Sequence, residues 1–284
     1  MSKISSAVIG LGRMGAFTSD AVKQYSPECW FPLSHVETLQ AHNCVSLDAV
    51  CDVSEDLIAR VKSTYAIESF YTDYRLLLDE VQPELLCVAT RTQERTEIIK
   101  AGIESGVKAF HLEKPLCNSM TQLIELEGLV REKDILLTYG TVRRYFAIYQ
   151  QAKSLIDSGR FGALEQIQVN FGSSPLFWTH PHSVDLILYF AGERKLESVQ
   201  AKLSKFVLGK LSSEVESDPI IDMAAMYFSD NVVGTISKTV GMDVILSCSG
   251  GTVTIEADGH RIVCRTPSEV GPYHAYPGEV EVLK

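Results

Sequence analysis

A chain of 284 residues with 45% hydrophobic and 22% charged side chains is long enough for two ordinary domains with buried cores. That composition excludes disorder and fibrous repeats. With 36 acidic against 26 basic residues the formal net charge is -10, which makes nucleic acid and anionic membrane surfaces unfavourable partners.

Apolar runs reach only strand length, short of the roughly 20 residues of a membrane span. Residues 1–10 lead into a strand without the apolar region and cleavage site of a secretory signal, so a cytoplasmic protein is expected. The 7 cysteines are scattered and never form Cys-x-x-Cys. Buried, reduced thiols are the expectation, and no metal site is expected from this spacing.

In chain order, residues 4–10 form a β-branched run, followed by glycines and a helical stretch at 14–25. Residues 26–43 interrupt the pattern; they extend the first helix, form a flap, or make a surface insertion. A second strand spans 45–51, followed by a helix opened by Ser54 with Glu55 and Asp56 in its first turn. Strands at 84–89, 107–112 and 135–139 alternate with helices at 92–105 and 119–132. These strand runs are apolar without period-two alternation, as in a parallel sheet covered on both faces.

The character changes after a helix at 144–157. Strand segments follow at 164–171, 199–208, 220–228, 232–240, 244–249, 252–256 and 261–265, with one helical insertion at 180–190. Asp230-Asn231 and Ser249-Gly250-Gly251 mark hairpin turns. The expected class is therefore α/β. A doubly wound parallel sheet at residues 1–140 is followed by an α+β domain with a large, mostly antiparallel sheet at 141–284.

Gly10-Leu11-Gly12-Arg13-Met14-Gly15 fits G-x-G-x-x-G directly after a strand. Gly10 suits a tight turn, Gly12 a close approach of backbone to pyrophosphate, and Gly15 close packing of helix on strand. Arg13 and Met14 lie within the same loop. Asp52, at the end of the second strand, can accept hydrogen bonds from ribose hydroxyls and would repel a 2′-phosphate, so NAD is favoured over NADP. A helix cap is the alternative for Asp52. Glu113-Lys114-Pro115 follows a strand at the edge where ligands sit in open α/β sheets. A lysine there can exchange a proton with a substrate hydroxyl.

Taken with Thr72-Asp73-Tyr74, Val88-Ala89-Thr90 and His182-Ser183-Val184-Asp185, these motifs occur in one family's order. The chain resembles the glucose-fructose oxidoreductase, inositol dehydrogenase and rhizopine catabolism (Gfo/Idh/MocA) family over nearly its whole length. The resemblance implies a Rossmann domain for residues 1–140 and a substrate-binding and oligomerisation domain for 141–284. It implies NAD(P)-dependent hydride transfer at a CH–OH or ketone carbon of a sugar or cyclitol, in a dimer or tetramer. Lys114 and His182 would be catalytic; Gly10, Gly12, Arg13, Met14, Gly15, Asp52, Thr90, Glu113 and Lys114 would hold the cofactor.

Two departures bear on the substrate. Trp178 stands where the family has an Asp four residues before the His, with His180 and Glu113 as candidate compensations. The segment Thr90-Arg91-Thr92-Gln93-Glu94-Arg95 replaces the usual Pro-Asn, and Arg91 or Arg95 could face an anionic group. Arg91, Arg143, Trp178, His182 and Asp185 join Lys114 as substrate-binding candidates. His182 and Asp185 share a helix face, so the carboxylate could orient the imidazole. A rival reading is a catalytically silent NAD(H)-binding sensor or scaffold; reduction of an imine or C=C bond is a third.

Overall fold

The computed structural model describes residues 3–26, 28–204, 215, 217–267 and 277–283. The chain divides into two compact units, one built on the residues up to Gly140 and one from Thr141 onward.

In the first unit, strands β1 (Ile4–Ile9), β2 (Val45–Cys51), β3 (Ser69–Tyr71), β4 (Leu85–Val88), β5 (Ala109–Leu112) and β6 (Leu136–Tyr139) form one parallel sheet. The order is β3-β2-β1-β4-β5-β6. The reversal between β1 and β4 creates a switch point, and the crevice beyond the strand carboxyl ends there is the ligand position of doubly wound folds. Both faces are covered, because apolar residues from alternate positions of one strand enter different clusters. Ala7 and Ile9 pack with Leu86, Ile99, Phe110 and Leu112, whereas Val8 packs with Leu11, Val36, Val50 and Val61. The helices are α1 (Asp20–Tyr25), α2 (His35–Ala41), α3 (Glu55–Thr64), α4 (Tyr74–Val81), α5 (Thr92–Glu104) and α6 (Met120–Glu132).

The start of this unit corrects the helix expected at 14–25. The fingerprint makes one helical turn, with the N–H groups of Ala16 and Phe17 bonded to the carbonyl of Gly12, and the regular helix α1 begins only at Asp20, capped by Ser19. The interrupting segment is not a surface insertion. It carries α2, opened by a capping box between Ser34 and Glu37, and buries Val36 and Leu39 in the core beside β1 and β2. Its first N–H groups are tied to the fingerprint, His35 to the Met14 carbonyl and Val36 to that of Gly15, both at 2.9 Å. β3 and α4 were not among the expected elements; β3 has only three residues, too few for a pattern to register.

The second unit contains α7 (Ala147–Asp157), α8 (His180–Ala191) and strands β7 (Leu164–Asn170), β8 (Ser174–Pro175), β9 (Leu196–Ser204), β10 (Ile220–Phe228), β11 (Val233–Ser237), β12 (Asp243–Cys248), β13 (Gly251–Glu256), β14 (Arg261–Pro267) and β15 (Pro277–Leu283). The sheet order is β15-β14-β13-β12-β7-β11-β10-β8, with β9 also paired to β10. Every pairing is antiparallel except β7 with β11, so the mostly antiparallel expectation holds. One face packs on α7 and α8 through Tyr149, Leu186, Ile187, Phe190, Ile167, Val169 and Leu246. Asp230 and Asn231 have φ of 61° and 58°, the left-handed values of the expected hairpin turn. Of the strand expected at 199–208, residues 205–208 lie outside the described residues, and β15 was not anticipated.

No helix among the described residues is long and apolar enough to cross a membrane. Among the cysteines, Cys51, Cys87, Cys248 and Cys264 are buried and free, as expected, whereas Cys44 is exposed and Cys117 half-buried. The Cys29 side chain lies outside the described residues. Burial pushes the thiols of Cys51 and Cys87 up to about 12, which leaves them protonated and inert near neutrality.

Candidate active site

The fingerprint occupies the β1–β4 switch point. Gly10 has φ of +94°, and a side chain there would meet the Ala89 and Thr90 backbone at 2.7 Å. At Gly15 an added Cβ would lie 1.8 Å from the Gly10 carbonyl oxygen, so only glycine closes this turn. Gly12 differs: an added Cβ would meet nothing within 4 Å. Around Gly12 the protein leaves the open approach that a pyrophosphate needs. Arg13 and Met14 are exposed beside it.

Asp52 is half-buried, and its carboxylate accepts two backbone hydrogen bonds, from Leu11 at 2.7 Å and from Ser54 at 2.9 Å. It therefore braces the glycine turn against the end of β2. The next helix is capped by Ser54 rather than Asp52. Two accepted bonds leave a carboxylate further lone pairs for ribose hydroxyls. The donors and open backbone of this corner fit a dinucleotide with an unphosphorylated ribose.

The loops after β4 and β5 are joined by Arg95, which is 2% exposed. Its guanidinium donates to the carbonyls of Thr90, Glu113 and Pro115. This corrects the expectation that Arg95 could face an anionic substrate: its charge is spent holding the loop that carries Lys114. Arg91 is exposed at the N-cap of α5, with no side-chain cap bond. Lys114 is half-buried at the sheet's carboxyl edge, and Thr90 is half-buried in the neighbouring loop.

Glu113 turns inward. It is 7% exposed, with Gly140 allowing its carboxylate to pack there: a Cβ at Gly140 would lie 3.2 Å from Oε2. Its other oxygen is 3.2 Å from Nε2 of His35. Burial alone would raise the Glu113 pKa, but His35, His111 and Lys114 together hold it below the usual carboxylate value. His111 packs edge-on against His35 with ring centroids 4.9 Å apart. Burial, with the neighbouring His35, pushes His111 down to about 4. Neither histidine was a candidate at the level of sequence, because no motif spacing links positions 35 and 111.

In the second unit, His182 lies half-buried in the first turn of α8, and Trp178, just before that helix, is 56% exposed. His180 is fully buried, and its Nδ1 lies 3.0 Å from the Ser183 hydroxyl. It is packed into the helix base and does not replace the missing acid. Asp185 forms a two-pronged pair with Arg144, at 2.9 and 2.6 Å. Arg143 also departs from its expected substrate role. It is buried, with Nε and Nη2 each 2.6 Å from the Asp258 carboxylate, and its guanidinium stacks over Phe171.

Residues 4–141 match the model of an oxidoreductase family with an NAD-binding Rossmann fold. The chain is 22% identical over 271 residues to a myo-inositol 2-dehydrogenase of Thermotoga maritima, covering 89% of this chain and 75% of that enzyme. It is 30% identical over 159 residues to an inositol 2-dehydrogenase of Pseudomonas fluorescens, and that match spans 55% of this chain and 42% of the other. A dehydrogenase structure from Chromobacterium violaceum superposes with a TM-score of 0.78 at 18% identity, covering 100% of this chain and 81% of that one.

Proposed function

We propose that this chain, which belongs to the Gfo/Idh/MocA oxidoreductase family through residues 4–141, is an NAD-dependent dehydrogenase that acts on a CH–OH carbon of a sugar or cyclitol. The observation that carries the reading is the fingerprint corner, where Gly12 leaves open space and the Asp52 carboxylate, at the end of β2, keeps lone pairs suited to a ribose. The similarity to inositol dehydrogenases supports a polyol substrate. A homo-oligomeric, cytoplasmic enzyme is part of the same reading.

When bound, the nicotinamide supplies a two-electron hydride acceptor or donor. The chain supplies position and proton transfer. The turn at Gly12, Arg13 and Met14 opens a helical turn, and the open backbone at Gly12 suits phosphate oxygens. Asp52 holds the adenosine ribose and repels a 2′-phosphate. Lys114, held by the Arg95 clamp on its own loop, hydrogen-bonds the substrate hydroxyl at Nζ and exchanges its proton. His182 is the second proton-handling group, on the same helix as Asp185, whose carboxylate is paired with Arg144. Trp178 offers an exposed indole face for a sugar ring, and Arg91 remains exposed for an anionic substituent.

Nicotinamide fluorescence of the purified chain with NADH and NADPH, followed by a polyol screen with NAD, tests this reading. NADH-selective binding, with turnover abolished in Lys114→Ala, is the expected result. Nucleotide binding without turnover of any polyol would replace it with the silent NAD(H)-binding protein. Absence of nucleotide binding would overturn both.

A further inference from the structure

Beside Lys114, the first unit contains a cluster of titratable side chains that the proposed hydride transfer does not use. His35, the first residue of α2, and Glu113, just past β5, are both more than nine-tenths buried. His111, two residues earlier on β5, completes the group. Taking one ligand atom from each, all three atoms lie within 4.8 Å of one another.

The pair at its centre is poorly explained as a hydrogen bond. Nε2 of His35 lies 3.2 Å from the Glu113 carboxylate, an ion-pair distance, and makes no hydrogen bond of regular geometry among the described residues. Leaving such an atom unmatched is costly. A separation of 3.2 Å matches the edge of a tetrahedron with metal–ligand bonds of about 2.0 Å, which is roughly 3.3 Å, and the remaining spread of up to 4.8 Å closes by side-chain rotation when an ion binds.

The surroundings of His111 suit the same role. Its Nδ1 lies 2.8 Å from the Thr138 hydroxyl, which is also 3.2 Å from the Phe110 carbonyl. In the tautomer with the proton on Nδ1, Nε2 keeps its lone pair for a ligand. An outer hydrogen bond on one ring nitrogen, fixing the other as ligand, is the usual arrangement of metal-bound histidine.

We propose that His35, His111 and Glu113 bind a divalent transition-metal ion, zinc by its donor set, which pins the inserted helix α2 to the carboxyl end of β5. Two imidazoles and one carboxylate suit zinc better than magnesium or calcium, which prefer all-oxygen shells. Water completes the fourth position. The site is independent of the dehydrogenase reading and stands or falls without nucleotide. Its consequence is mechanical: α2 is hydrogen-bonded to Met14 and Gly15, so metal occupancy stiffens the fingerprint turn.

The full chain, stripped with chelator and dialysed, is titrated with Co²⁺ and followed by visible absorption, then back-titrated with Zn²⁺. One Co²⁺ per chain, with the strong absorption of a four-coordinate site and displacement by Zn²⁺, is expected. His35→Gln and His111→Gln should each weaken binding about 100-fold or more, since losing a ligand costs at least as much as losing the outer hydrogen bond that orients one. Zinc should raise the melting temperature of the wild type and leave both variants unmoved. A wild-type chain that develops no such absorption overturns the proposal, whatever the folding of the variants. Wild-type affinity in both variants overturns it too, because the metal would then sit elsewhere.

Discussion

The Asp52 carboxylate accepts a hydrogen bond from the Leu11 backbone N–H at 2.7 Å, joining the end of β2 to the glycine turn that follows β1. Asp52 thus braces the turn, and the proposed function gives it a second duty, facing a ribose. Asp52→Ala should therefore weaken NADH binding about 10- to 100-fold, the value of one or two hydrogen bonds to a carboxylate. NADPH binding should fall less, because the repulsion of its 2′-phosphate is relieved. Fluorescence titration with both nucleotides checks the ratio; equal losses would leave only the bracing duty.

The three fingerprint glycines separate structural from ligand roles. Gly15→Ala drives a methyl to 1.8 Å from a backbone oxygen and should destabilise the first unit severely in a urea melt. Gly12→Ala meets no protein atom within 4 Å and should cost less than about 1 kcal/mol. Its NADH affinity should nevertheless fall about tenfold or more, since the methyl occupies space reserved for phosphate.

Arg95 holds three carbonyls from two loops. Arg95→Met leaves those acceptors buried and should cost about 3 kcal/mol or more. If the clamp positions Lys114, the residual folded protein should lose turnover while keeping NADH affinity. A variant with normal turnover would show that the clamp matters only for stability.

Arg143 and Asp258 form a buried two-pronged pair. Arg143→Met strands the aspartate and should destabilise the chain by about 3–5 kcal/mol, measured by denaturant melt. Replacing both partners with apolar residues should recover part of that loss. A substrate role for Arg143 would instead appear as a raised KM with unchanged stability.

His180 supplies a pH dependence. Burial lowers its pKa from the ordinary value near 6.5, outweighing the opposite pull of Asp218. Below about 6.5 the unfolded chain takes up a proton that the folded chain refuses, so stability falls as pH drops through that range and is fully present above it. His180→Gln should flatten the slope of melting temperature between pH 7 and 5. An unchanged slope would assign the acid sensitivity to other groups.

Much of the architecture was legible in the chain itself, because local pattern and tertiary context agreed there. The unbroken apolar runs around Val8, Val50 and Leu86 require burial on both faces, and only a helix-covered parallel sheet provides it. Gly10, Gly12 and Gly15 encode a turn whose steric demands are local. Asp52 and Lys114 lie at strand ends, so their edge position followed from the strand assignments. Only the tertiary structure decided which charges are spent internally. Arg95, Arg143 and Asp185 read as available polar groups, but their partners are carbonyls or ions reached through folding, some more than 100 residues away. The histidine–glutamate cluster has the same character: His35 and Glu113 are separated by most of the first unit in sequence, and only the tertiary fold, which seats the first residue of α2 beside β5, brings them to 3.2 Å.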